Sequence, residues 1–221
     1  MFFQRKNISC SLKYDMIPLS TPIDDLTFIV FDTETTGFQV ATTDRLIEIG
    51  AVPVNGLKVK EKDQFQTYVN PRRQISREII ELTSITNELA SESPVALDAI
   101  SQFFDYVESH DTVCLVGHYV SFDTAVLKSE LKREKLALKK LFTIDTLDLI
   151  GFIAPSYDMR DLERYAMAFG TRIYNRHSAI GDAMTTAYLF TELLLQFKDR
   201  GHSTWGELIY ATDSQMRSMP F

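Results

Sequence analysis

The chain has 221 residues, 45% of them hydrophobic and 24% charged, enough for one well-buried domain with small appendages. No apolar run is long enough to span a membrane, and the basic start MFFQRKNISC lacks the apolar stretch of a secretory signal, so membrane and secreted classes are set aside and a cytoplasmic location is expected. The formal charge of −7 argues against a protein that coats nucleic acid non-specifically.

Residues 1–24 are mixed in character and read as an extension. The sharper pattern begins at Leu26. LTFIVFD is a wholly apolar strand, RLIEIGAVPV a second, and GLKVKEKDQFQTYVNP a third, with Asn55-Gly56 between the second and third as a strong hairpin signal. Residues 76–82 predict a short helix. The apolar positions 96, 100, 103, 104 and 107 mark one helical face. TVCLVGH is a short apolar strand, and SFDTAVLKSELKREKL is a helix with Ser121 as its expected N-cap. LFTIDT is another strand, followed by helices over roughly 160–169 and 179–197. Strands that alternate with helices imply parallel pairing. The expected fold is α/β, a mixed five-stranded sheet with three antiparallel strands and two added parallel, helices on both faces, over residues 25–197. The tail 198–221 predicts one short helix with Trp205, Leu208 and Ile209 on a face that docks on its own domain. Cys10 and Cys114 have neither disulfide nor zinc spacing, and Cys114 reads as a core thiol.

Chemistry concentrates in three places. The stretch FDTETTG puts Asp32 and Glu34 at the carboxyl end of a central strand, where positions i and i+2 share a face and where open α/β sheets bind ligands. Gly37 would permit close backbone approach by a ligand. GHYVSFD puts Asp123 in the first turn of a helix, a place where an acid also has a purely structural use against the helix dipole. HSAIGDA carries His177 and Asp182, about 140° apart on a continuous helix, so the two can share a site only if His177 lies in the loop before the helix. Each signal is weak alone. Together, four carboxylates from three segments would repel one another unless metal ions neutralised them. Oxygen ligands without thiolates select Mg²⁺ or Mn²⁺, and two such ions roughly 4 Å apart can clamp a displacement at phosphorus. A neutral imidazole, with an ordinary pKa of about 6.5, suits proton removal from the attacking water.

In this order the three motifs resemble those of the DEDDh 3′–5′ exonucleases, the DnaQ-like group that includes the polymerase III epsilon proofreading subunit and RNase T. The likeness runs from about Phe28 to Phe197 and includes DRLIEIGAV, YVNP and LTSIT. It implies a ribonuclease H-like fold, with Asp32, Glu34, Asp123 and Asp182 as metal ligands and His177 as general base. It also implies that Thr35, Thr36, Gly37 and Phe38 border the 3′-terminal nucleotide, that Ile85 is an apolar wedge near its base, and that Phe122 lines the pocket. The implied substrates are 3′ ends of single-stranded or frayed DNA or RNA, DNA favoured, with nucleoside 5′-monophosphate as product and a polymerase as one partner. A non-catalytic nucleic-acid-binding module on the same fold would have lost an acid or the histidine, and none is lost here. Two positions depart from the family pattern: Tyr119 stands where the family usually has Asn, and Ser84 where it usually has Gly. Both are expected to bear on substrate positioning.

For the nucleic-acid path, Lys128, Lys132, Arg133, Lys135, Lys139 and Lys140 form either a solvated face or a phosphate-guiding patch. Arg72, Arg73, Arg160, Arg164, Arg172 and Arg176 flank the site segments and are the preferred phosphate contacts, with Tyr174 as either an aromatic contact or a core residue.

Overall fold

The structure, a computed structural model, describes residues 6–157, 159 and 161–213. Arg160 and the last residues of the tail therefore lie outside the described residues, as does the basic amino terminus. The strands are β1 (Lys6–Ile8), β2 (Thr27–Thr35), β3 (Leu46–Asn55), β4 (Lys58–Val59), β5 (Phe65–Tyr68), β6 (Cys114–Gly117), β7 (Leu136–Leu138) and β8 (Thr143–Asp145). The helices are α1 (Arg77–Thr83), α2 (Asn87–Ser91), α3 (Ala96–Glu108), α4 (Val120–Arg133), α5 (Thr146–Ile153), α6 (Leu162–Ala168), α7 (Ala179–Asp199) and α8 (Trp205–Thr212).

The main sheet runs β4-β3-β2-β6-β8, with β5 also pairing β3. β2, β3, β4 and β5 are antiparallel neighbours, and β6 and β8 add parallel to β2. This is the expected mixed α/β sheet, with the third antiparallel strand broken in two. The break falls on the polar run 60–64, which offers no apolar residue to the pleat. The hairpin also closes one residue later than the Asn-Gly signal predicts. Asn55 pairs with Lys58, so Gly56 and Leu57 form the turn, both at positive φ, as the tight hairpin twist demands.

The pleat of β2 sorts the core. Phe28 and Val30 face one side, with Phe190, Leu193 and Phe197 of α7 and with Trp205 and Leu208 of α8. Ile29 and Phe31 face the other, with Phe103 of α3 and Leu127 of α4. Two helical layers thus bury both faces of the strand that carries Asp32 and Glu34. α8 has the expected face: Trp205 and Leu208 are buried, and a capping box from Thr204 and Glu207 starts the helix. The extension joins it through a bridge between Pro22 and Thr204, and through β1, which pairs with β7 away from the main sheet.

The N-cap of α4 is Tyr119 rather than Ser121, and Tyr119 sits at φ 59°. Its N–H and that of Val120 donate to Asp145 at 3.1 and 3.0 Å, so the half-buried end of β8 does the capping. Ser84, the C-cap of α1, sits at φ 61°. Both departures from the family pattern therefore fall at left-handed positions, where Asn and Gly cost least. The backbone keeps the conformation although the side chains no longer favour it. Replacing Ser84 by Gly should stabilise the protein by about 0.5–1 kcal/mol; an unchanged or lower midpoint in denaturant unfolding would show that the cap carries no strain.

Candidate active site

The site begins with the register of the central pair. Asp32 lies opposite Gly50 and Glu34 opposite Glu48, and paired residues share a face. That face receives the start of α7. A Cβ on Gly50 would come within 2.2 Å of the Ile180 nitrogen, so only glycine lets the helix come this near the acids. Glu48, fully buried, accepts from Ala179 N at 2.9 Å and from Gln66 Nε2 at 2.7 Å, which fixes the amino end of α7 on the sheet. The sequence reading passed over Glu48; the lone acid in the apolar run LIEIGAV was its signal.

His177 lies in the loop before α7, at φ 59°, and Asp182 lies in the first turn. This is the arrangement their spacing required. The His177 N–H donates to Asp182 Oδ2 at 3.3 Å, and Arg176 donates from its guanidinium to Asp182 Oδ1. Glu34, His177 and Asp182 bring ligand atoms within 4.8 Å of one another.

Asp123 arrives from the opposite face. β6 ends at Gly117 and pairs with β2 only as far as Val30, so β2 runs on with one edge uncovered. Thr33 N donates to Asp123 Oδ1 at 2.9 Å in place of a strand partner, and Thr33 Oγ1 donates to the same oxygen at 2.7 Å. Thr33 was not singled out from sequence, because its use depends on a residue 90 positions away.

The electrostatics follow. Burial pushes the Asp32 carboxyl well above the ordinary carboxylate range, and Asp123, Asp182 and Glu34 push it further. Glu34 rises to about 8, through burial and then the charges of Asp182, Glu48 and Asp123. Asp123 rises to about 7 by burial, against the two Thr33 hydrogen bonds. Asp182 is raised by burial, and Arg176 opposes that rise. Such a cluster holds either protons or cations. An all-oxygen carboxylate set with one imidazole at its mouth fits a hard divalent cation.

A cleft of about 290 Å³ opens over these groups, lined by Asp32, Glu34, His177 and Asp182 and, around them, by Thr35, Gly37, Phe38 and Phe122. Phe38 is 89% exposed, and its ring lies 6.0 Å from that of Phe122, an aromatic edge to the cleft. Two expectations need correction. Ile85 is 2% exposed and packs with Ile47, Ile75 and Ala90, because the left-handed turn at Ser84 directs it inward. The apolar residues that do line the cleft are Ile79 and Leu82 of α1, Leu82 being 48% exposed. Thr36 is buried: its hydroxyl donates to Asp44 Oδ1 at 3.0 Å and accepts from Arg45 N. The space a side chain on Gly37 would need is filled by the Asp44 carboxylate at 2.6 Å, so this glycine closes the loop on Asp44 as well as lining the cleft.

The preferred arginines are largely spoken for. Arg72 pairs with Glu134, Arg73 with Asp44, Arg172 with Glu61 and Arg176 with Asp182. Tyr174 stacks on Tyr188 at 5.8 Å, the ring-packing alternative for that residue.

Residues 29–190, which include every acid of the cluster and His177, match the RNase_T exonuclease family model. The chain belongs to this exonuclease family. A PolC-type DNA polymerase III from Bacillus subtilis (strain 168) is 32% identical over 203 residues, 90% of this chain and 14% of the relative. The chain thus spans a small part of the length of the curated relatives it matches. The nuclease domain of 3'hExo, a DEDDh family member bound to rAMP, shares its fold with a TM-score of 0.70 at 18% identity, covering 79% of this chain and 94% of that one. Exonuclease X, in complex with 5′-overhanging duplex DNA, gives 0.63 at 20% identity, covering 83% and 99%. Among the described residues no helix is long and apolar enough to cross a membrane.

A carboxyl whose pKa rises on folding favours the folded state only while protonated. In chelator, this cluster stabilises the fold below about pH 4, and that contribution is lost as pH rises through about 7 to 8. The melting temperature in chelator should fall from about pH 5 to about pH 9, and Mg²⁺ or Mn²⁺ should raise it most at the alkaline end. A melting temperature indifferent to both pH and cation would contradict the cation-holding cluster.

Proposed function

We infer that the protein is a 3′–5′ exonuclease that hydrolyses the terminal phosphodiester bond at 3′ ends of single-stranded or frayed nucleic acid and releases nucleoside 5′-monophosphates. The observation that carries this reading is the meeting of acids from β2, α4 and the start of α7 with one exposed imidazole, at the carboxyl end of a central strand. Membership of the exonuclease family supports the same reaction class.

In this reading Asp32, Glu34, Asp123 and Asp182 hold two Mg²⁺ or Mn²⁺ ions. When bound, such ions lower the pKa of an attacking water and offset charge on the leaving 3′ oxygen. His177, exposed and carried on a loop, accepts the proton from that water. Arg176 favours the ionised form of Asp182, and Glu48 holds the helix end from which both functional groups of the third motif hang. Thr33 orients Asp123. Phe38 and Phe122 on one side, and Ile79 and Leu82 on the other, border the terminal nucleoside, with apolar and stacking contacts offsetting the cost of unstacking it. Leu82 takes the wedge role first assigned to Ile85.

DNA is the favoured substrate because the B. subtilis relative is named a DNA polymerase III. RNA ends are the second substrate class, since the 3'hExo structure holds rAMP. Proofreading beside a polymerase is a second reading of the same activity, favoured by that relative, and co-purification with a polymerase tests it.

With 5′-labelled single-stranded DNA and RNA, the protein should give a ladder shortened one nucleotide at a time from the 3′ end, with Mg²⁺ or Mn²⁺ and not in chelator. Asp32→Ala should abolish the ladder while leaving the fold intact by circular dichroism; full activity in that variant would refute the assignment. His177→Ala should lower kcat by about 10²–10⁴ with little change in KM. A change confined to KM would remove His177 from the proton transfer.

A further inference from the structure

A second cleft, of about 480 Å³, runs along the edge strand β8, from its carboxyl end at Asp145 back past Thr143 to Leu141. Ser121, Thr124 and Lys128 of α4 form one wall, and Lys139 and Lys140, just after β7, form another. Positions 121, 124 and 128 lie on one helical face. Phe122, the next residue round the helix from Ser121, lines the catalytic cleft instead. The first turn of α4 is therefore the partition between the two clefts. The ends of β2 and β8, which carry Asp32 and Asp145, are separated by β6 alone, two interstrand spacings or roughly 10 Å.

The charge of this cleft sets it apart. Lys128, Lys139 and Lys140 are exposed, and none forms an ion pair with a described residue. The arginines nearer the acids are committed: Arg72, Arg73, Arg172 and Arg176 each face a carboxylate, and Arg133 faces Glu130. In a chain of net charge −7, three lysines without an ion pair to a described residue thus gather beside the catalytic cleft. Two acids also line this cleft, Asp145 and Asp148. The Asp145 carboxylate accepts from three backbone N–H groups, those of Tyr119, Val120 and Leu147, which hold it against the starts of α4 and α5. Tyr119, the N-cap of α4, is 41% exposed next to the cleft-lining Val120 and presents a ring on which a base could stack.

We propose that the second cleft is a subsite for the single-stranded polynucleotide upstream of the 3′ end, with its phosphates passing over the first turn of α4 onto Lys128, Lys139 and Lys140. The exposed Ser121 hydroxyl adds a neutral donor to the same backbone. The direction of the strand rests on the exonuclease reading; the affinity of the cleft for a polynucleotide backbone does not. The subsite gives the enzyme a grip on long strands that a dinucleotide cannot use.

The test is a triple variant, Lys128→Glu, Lys139→Glu and Lys140→Glu, compared with wild type on a dinucleotide and on a long single-stranded oligonucleotide. Wild type should favour the long strand in kcat/KM, and the variant should lose that preference by roughly tenfold or more. Affinity for the long strand, read by fluorescence anisotropy in Ca²⁺, should weaken in parallel. The slope of log Kd against log salt should shrink by about 0.7 for each lysine lost from a phosphate. The triple Lys→Arg variant should retain the preference. An unchanged ratio between the two substrates with unchanged affinity would overturn the subsite, and so would an equal loss on both substrates, which would place the effect in the catalytic cleft. If wild type hydrolyses neither substrate, the exonuclease reading fails, and the anisotropy series still decides whether these lysines bind the strand.

Discussion

The hydrogen bonds from Thr33 to Asp123 are the contact on which the rest of the site depends. β2 outruns its parallel neighbour β6, so a backbone N–H is exposed at the point where the strand turns acidic. A buried N–H without an acceptor is costly, and the Asp123 carboxylate supplies the acceptor from the helix that follows β6. Strand alternation then does the sorting. Thr33 faces α4 and holds Asp123, while Asp32 and Glu34 face α7, His177 and Asp182. One short overhang of one strand thus gathers groups from both helical layers at a single edge.

Gathering carboxylates in this way is unfavourable, and the surrounding structure answers it by geometry more than by charge. Asp32 and Glu34 have their ionised forms disfavoured by burial first and by the neighbouring acids second, and Asp123 by burial, against the hydrogen bonds from Thr33. Arg176 opposes this, through its ion pair with Asp182 and, more weakly, through its charge near Asp32 and Glu34. The fold holds the acids together through neutral hydrogen-bond donors: the Thr33 hydroxyl and N–H, the Ala179 N–H on Glu48, and the helix-start N–H groups on Asp145. These donors fix positions without cancelling the charge, which leaves the cluster electrostatically open to divalent cations. The close seat of α7 over Gly50 serves the same end, since any larger side chain would lift His177 and Asp182 off the sheet.

The positive-φ residues show the same economy at the level of backbone. Tyr119 and Ser84 stand where the family pattern favours Asn and Gly, yet the chain still takes the left-handed turn at each. At Tyr119 the turn is held from outside by Asp145, which accepts from its N–H and from the next. At Ser84 it is held by the N–H bond back to Ile80 and by the burial of Ile85 just beyond. The departures therefore alter the surface presented beside the clefts, notably an exposed tyrosine ring, and leave the framework in place.

The sequence by itself determined the identity of the acids and the histidine, the central strand that carries Asp32 and Glu34, and the mixed parallel and antiparallel sheet, since all of these rest on local periodicity and on motif order. The requirement that His177 precede its helix was also legible, because five residues on a helix cannot share a face. Only the tertiary structure decided the use of Thr33, Glu48 and Gly50, the exchange of Ile85 for Leu82 at the cleft, the capping of α4 by Asp145 rather than Ser121, and which basic residues stay unpaired. Each of these depends on a partner far along the chain. Spacing encodes which way a side chain leaves its own strand or helix; it does not encode which distant atom will be waiting there.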